Sequence, residues 1–141
     1  MSGKAFVDTN VLVYAHDQGT AMKQGRSQEL LARLWTEKKG VISTQVLEEF
    51  CVSVRRKFVQ PLSLDETRAA IRAYGQWHVV VNSADSVLRA LEIEQRYQLS
   101  FWDALIIQAA GSAGCEVLYS EDFSNGQEYE GVLVVNPFQE S

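Results

Sequence analysis

The chain is poor in the side chains from which most small catalytic sites are assembled: its 141 residues include two Cys, two His and two Pro. Cys51 and Cys115 stand far apart in apolar or helical contexts, so they form neither a metal knuckle nor a redox pair and are expected as reduced, buried thiols. His16 and His78 are too few to furnish a Zn²⁺ site or to suggest a His-based triad. A cationic excess is missing as well. Thirteen Lys and Arg against eighteen Asp and Glu leave a formal charge of −5, which argues against a chain that clamps nucleic acid over its whole surface. No apolar run approaches the roughly 18 residues of a membrane span, and Ala5-Phe6-Val7 is cut short by Asp8 before it could serve as a signal-peptide core, so a cytoplasmic protein is expected. Gly111-Ser-Ala-Gly114 lacks the spacing and the Lys of a nucleotide phosphate loop.

With 46% hydrophobic and 22% charged residues, the chain has the composition of an ordinary globular protein with a real core. It shows no repeat, low-complexity tract or linker, and one domain over residues 1–141 is expected. Lys4 to Asp8 is a short apolar run that ends in Asp8, Thr9 and Asn10, as a buried strand does on leaving a sheet. Val11 to Ala15 reads as one or two helical turns. Ala21 to Lys39 repeats Leu30, Leu31, Leu34 and Trp35 at helical spacing, with Gly40 as the stop. Val41 to Ser43 is a second strand, and Val46, Leu47, Phe50 and Val54 form the stripe of a helix that Pro61 ends.

Ser63 followed by Glu66 predicts a capped helix reaching Tyr74, and Trp77 to Val81 a third strand. Helices over Ser83 to Tyr97 and Ser100 to Ala113, a fourth strand over Val117 to Ser120 and a fifth over Val132 to Val135 complete the order. Short apolar strands alternating with helices predict a three-layer α/β/α architecture around a central parallel sheet of about five strands.

Four acids sit at the ends of these elements. Asp8 closes the first strand, Glu49, beside Glu48, interrupts an apolar helix, Asp103 lies in a first helical turn, and Asp122 follows the fourth strand. Ligands of open parallel sheets bind beyond the carboxyl ends of the strands, where such residues meet. Carboxylates gathered there repel one another unless a cation compensates, and a hard ion, Mg²⁺ or Mn²⁺, suits an all-oxygen set. The chemistry this allows is attack of metal-activated water on a phosphodiester.

Each acid also has a plainer role. Asp8 can cap the helix that follows it, Ser100-x-x-Asp103 can be a variant capping box, Glu49 a solvated flank and Asp122 a turn former. On the helical wheel Glu48 and Glu49 flank the apolar face almost equally, and periodicity does not choose between them. The basic run Arg55-Arg56-Lys57 suits RNA phosphates, or simply a helix C-terminus that favours cations. Tyr14, His16 and Trp102 could stack on bases. Trp102, Trp35 and Trp77 are expected in the core instead.

Four segments together resemble one family: Phe6-Val-Asp-Thr-Asn-Val-Leu-Val-Tyr14, Ile42-Ser-Thr-Gln-Val-Leu-Glu-Glu-Phe50, Leu99-Ser-Phe-Trp-Asp-Ala-Leu-Ile107 and Leu118-Tyr-Ser-Glu-Asp-Phe123. In this order they look like a PIN domain, most of all the bacterial VapC type of toxin ribonuclease. The resemblance implies a Mg²⁺- or Mn²⁺-dependent endoribonuclease using one or two ions, the toxin of a type II toxin–antitoxin pair. It also implies RNA as substrate, a small antitoxin that occludes the site, and the homodimer common among such proteins. Position by position it assigns the four acids to Asp8, Glu49, Asp103 and Asp122, with Thr9, Asn10 and Ser120 as supporting polar residues.

Two other classes compete. A phosphoacceptor or phosphatase-type α/β module also uses an acid after the first strand, but the second Asp such a phosphatase needs is replaced by Asn10. A catalytically silent RNA-binding relative would keep the fold without the chemistry. Apart from the four acids, the remainder of the chain carries only −1, so the acidic excess is concentrated in one expected site.

Overall fold

The computed structural model describes residues 3–56 and 58–139. Strand β1 (Ala5–Val7) leads into helix α1 (Thr9–Ala15), followed by α2 (Ala21–Glu37), β2 (Gly40–Ser43), α3 (Thr44–Arg56) and α4 (Leu64–Tyr74). Then come β3 (His78–Val80), α5 (Ala84–Tyr97), α6 (Phe101–Ser112), β4 (Val117–Tyr119), β5 (Glu128–Tyr129) and β6 (Val132–Val135). The sheet order is β3-β2-β1-β4-β6-β5, parallel throughout except for the β5–β6 hairpin. The expected parallel sheet flanked by helices is therefore the fold, with β5 as a sixth strand. At two residues β5 is too short to leave a periodic signal. Its hairpin turns through Glu130 and Gly131, both at positive φ, as a two-residue turn of that hand requires. Arg96 and Tyr97 at the end of α5 hold the Glu130 carboxylate and so brace the turn.

The core forms where the sheet meets α6. Seven consecutive residues of that helix, Ala104 to Ala110, are buried, which an amphipathic helix could not achieve; its apolar character on all sides and its alanines suit a central position. Phe6, Val7, Ile42, Leu118 and Val134 bury the strands against it and its neighbours.

Some local expectations are corrected. Helix α2 ends at Lys38 in the left-handed conformation, not at Gly40, because Lys38 and Lys39 N–H groups close the last turn on Leu34 and Trp35 carbonyls. Gly40 is needed for another reason: a Cβ there would lie 2.1 Å from the Trp77 ring. Trp35 is 53% exposed and Trp102 62% exposed, so neither is core. Leu30, Leu31 and Leu34 already fill the buried side of α2, leaving Trp35 on its flank beside half-buried Trp77. Cys115 is buried, whereas Cys51 is only half-buried; both are free thiols. Among the described residues no helix is long and apolar enough to cross a membrane.

Candidate functional site

The parallel strands deliver their carboxyl ends to one edge, and the chain turns there into α1, into α3 and into the loop after β4. Asp8, the first residue past β1, is the N-cap of α1: its Oδ1 accepts the Thr9 N–H at 2.7 Å. The capping role is thus real, but it occupies one oxygen only. Asp8 Oδ2 accepts from Ser120 Oγ at 2.7 Å and from Asn10 Nδ2 at 3.4 Å. The same Asn10 amide lies 3.2 Å from Asp122 Oδ2 and 3.3 Å from Ser120 Oγ, while its Oδ1 accepts the Glu121 N–H. Asn10 and Ser120 therefore tie the end of β1 to the end of β4.

Glu49 enters from α3. Thr9 Oγ1 donates to its Oε1 at 2.7 Å, and Gln45 Nε2 approaches its Oε2 at 3.4 Å. Gln45 Nε2 also donates to the Trp102 carbonyl, which draws the start of α6 to the same edge. There Ser100 caps the helix by accepting the Asp103 N–H at 3.1 Å. Glu48, on the exposed side of the same turn, also lines the cleft.

Asp8 is almost fully buried, and burial pushes its carboxyl up to about 7; hydrogen bonds from Ser120 and Thr9 oppose the shift, and the charges of Asp122 and Glu49 add to it. Asp103 is also raised, first by burial, with Ser100 opposing and Asp122 and Glu49 again adding. Two acids thus each sense the other two, and the four share one electrostatic neighbourhood. The hydrogen-bond partners described for them are all neutral. Glu49 and Asp122, but not Asp8 or Asp103, line a cleft of about 910 Å³ whose walls include Val52, Phe58 and the exposed Trp102.

The donor set fits a hard divalent cation: every ligand offered is oxygen, and buried Gln45 Oε1 beside Glu49 has no partner. Among the described residues no three His, Cys, Asp or Glu side chains close around a single point. That spread suits an ion which keeps several of its waters and takes only one or two carboxylates directly.

The remaining predicted residues fall elsewhere. Arg55 and Arg56 are exposed at the end of α3 and do not line the cleft; Arg55 Nε is turned back to the Cys51 carbonyl at 2.9 Å, and Lys57 lies outside the described residues. His16 is enclosed between Phe50 and Tyr74, with its Nε2 2.9 Å from the Tyr74 hydroxyl, and burial lowers its pKa. Gln45 was not anticipated, although it precedes Glu49 by one helical turn and so shares its face. Nor was the rim cluster, in which Glu121 accepts from Tyr14 Oη at 2.5 Å and from Lys23 Nζ at 2.7 Å.

Among curated protein sequences none matches. VapC20 of Mycobacterium tuberculosis, a sarcin–ricin-loop-cleaving toxin, is 26% identical, with a TM-score of 0.64 over 84% of this chain and 90% of its own. A toxin–antitoxin complex from Klebsiella pneumoniae gives a TM-score of 0.70 at 20% identity, covering 95% of this chain and 98% of the other. DNA-bound VapBC from Salmonella typhimurium gives 0.66 at 16% identity, covering 93% and 96%. The family model for the PIN domain matches residues 5–124, a span that holds strands β1 to β4 and the positions of the four acids, and the chain belongs to the PIN domain family.

Proposed function

We propose that this protein is a Mg²⁺- or Mn²⁺-dependent endoribonuclease, the toxin of a type II toxin–antitoxin pair, acting in the cytoplasm as a single catalytic domain. The observation that carries the reading is that Asp8, Glu49, Asp103 and Asp122 share one electrostatic neighbourhood at a cleft which Glu49 and Asp122 line, with neutral hydrogen-bond partners and no compensating cation described among them. Such a cluster is costly in a protein that binds nothing there. A nuclease of the PIN family gives it a use.

Asp8, Glu49, Asp103 and Asp122 would hold the metal in this reading. One or two bound divalent ions supply the lowered pKa of the attacking water and the neutralisation of charge on the leaving oxygen. The chain's own residues arrange the rest. Asn10 and Ser120 hold Asp8 and Asp122 in register, Thr9 and Gln45 aim Glu49, and Ser100 orients the first turn that carries Asp103. Trp102, Phe58 and Val52 offer the bases of an unpaired strand an apolar wall on which to stack. VapC20 cleaves an RNA loop and several structural relatives are complexes with an antitoxin, which supports RNA as the substrate and a small antitoxin covering the cleft. A homodimer is part of the same proposal.

Purified protein incubated with structured RNAs and Mg²⁺ or Mn²⁺ should cleave them, and EDTA or Asp103→Asn should abolish cleavage. Cleavage that survives both would overturn the reading. RNA affinity without turnover under any divalent ion would assign the chain to the catalytically silent class.

A further inference from the structure

Two acids stand side by side after β4, and their surroundings differ. Asp122 Oδ2 is met by the neutral amide of Asn10 at 3.2 Å. Glu121 also lines the cleft, but each of its oxygens already accepts from a donor: Oε1 from Tyr14 Oη at 2.5 Å and Oε2 from Lys23 Nζ at 2.7 Å. Contacts of that length are charge-assisted and strong. A fully exposed ion pair fixes little by itself, but this one is partly enclosed, with 40% of the Lys23 side chain and 25% of the Glu121 side chain exposed. The Lys23 ammonium also sits 4.7 Å from the Tyr14 ring centroid and 5.4 Å from that of Phe138, and those two rings meet edge to face at 5.1 Å.

The cluster joins three separate parts of the chain: Tyr14 in the last turn of α1, Lys23 in the first turn of α2, and Glu121 in the loop after β4. Its influence passes to the acids through Asn10. The Glu121 N–H donates to Asn10 Oδ1 at 3.3 Å, and the nitrogen of the same amide reaches Asp8 Oδ2, Ser120 Oγ and Asp122 Oδ2. Displacing Glu121 would therefore disturb the group that spans Asp8 and Asp122.

We propose that Glu121 is a positioning residue and not a fifth metal ligand, anchored by Lys23 and Tyr14 so that the loop after β4 holds Asp122 at its working distance from Asp8; the metal these acids serve rests on the nuclease reading. Charge alone predicts the opposite sign for Lys23. A cation beside the acids repels a metal ion, so its removal would tighten metal binding. Removal of an anchor weakens it.

The test uses the full-length protein without RNA. Mn²⁺ affinity is measured by isothermal titration, and the Asn10 side-chain amide is followed by ¹H–¹⁵N NMR in EDTA. Lys23→Met and Tyr14→Phe should each weaken Mn²⁺ binding by about tenfold, the low end of what losing an outer-shell partner of a metal site costs, and should shift the Asn10 signals. Lys23→Arg, which keeps the charge, should restore both. Should Lys23→Met fail to fold, Tyr14→Phe, which changes no charge, decides alone. An unchanged or tighter Mn²⁺ affinity overturns the anchor and leaves the nuclease reading standing. Shifted Asn10 signals in a protein that binds no Mn²⁺ in any form do the reverse, and unshifted signals there overturn both.

Discussion

Thr9 Oγ1 and Glu49 Oε1 are 2.7 Å apart, a bond between the first turn of α1 and the second turn of α3 across 40 residues of chain. It fixes where the Glu49 carboxylate points, since the only other side chain described on it is Gln45 at 3.4 Å. Thr9→Val removes a hydrogen bond to a charged group, worth about 1.5–3 kcal/mol. Cleavage rate measured against Mg²⁺ concentration should show a raised half-saturation point and a smaller fall in maximal rate than Glu49→Gln. A wild-type Mg²⁺ curve would mean that Gln45 alone orients the glutamate.

Asp8 couples the site to stability through pH. Its carboxyl is raised from 3.8 to about 7 in the folded protein, so the protonated form is the one the fold favours. That contribution is complete below about pH 4 and is lost as pH rises through 7, a loss of up to about 4 kcal/mol. Thermal midpoints in EDTA should therefore fall for the unmutated protein relative to Asp8→Asn between pH 5 and 8. Added Mg²⁺ should raise the midpoint of the former and leave the latter nearly unchanged.

Glu48 and Glu49 separate by environment. Glu49→Gln and Asp103→Asn should each lower the cleavage rate by about 100-fold or more, as expected when charge facing a metal-assisted transition state is removed. Glu48→Gln should stay within about threefold, because Glu48 is exposed and Thr9 and Gln45 hold Glu49 instead. Equal losses from the two glutamine variants would remove Glu49 from its assigned place.

Trp102 is exposed, so Trp102→Ala should change stability by no more than about 0.5 kcal/mol. Stacking of one base contributes about 1–3 kcal/mol, so affinity for unpaired RNA should drop roughly 5- to 150-fold, with Trp102→Phe recovering most of it. Anisotropy titration reads this directly, and an unaltered affinity would leave the ring without a base.

Gly40→Ala should destabilise without touching the site. The new methyl would meet the Trp77 ring at 2.1 Å, and displacing a packed indole costs about 1–3 kcal/mol, visible as a midpoint lowered by several degrees.

Much of this was legible in the sequence because parallel strands are apolar on both sides and end abruptly in polar residues. Asp8 after Ala5-Phe6-Val7 and Asp122 after Val117-Leu118-Tyr119 announced a shared edge. The choice of Glu49 over Glu48 was not legible from periodicity, since it depends on Thr9 reaching across from another helix. Trp102 was expected in the core, but it lies in the first turn of α6, ahead of the buried run Ala104 to Ala110, and is exposed.

The tie between Asp8 and the Ser120–Asp122 segment spans 112 residues, and β1 lies between β2 and β4 in the finished sheet. A growing chain at about 5–20 residues per second needs roughly 6–22 s to pass from one end of that tie to the other. Until then Asp8 and Glu49 have no Asp122 beside them, and β1 lacks a neighbour on one side. The acid cluster is thus incomplete during most of the chain's synthesis. The same arrangement leaves a time window in which a partner already present could meet the chain before the last two carboxylates arrive.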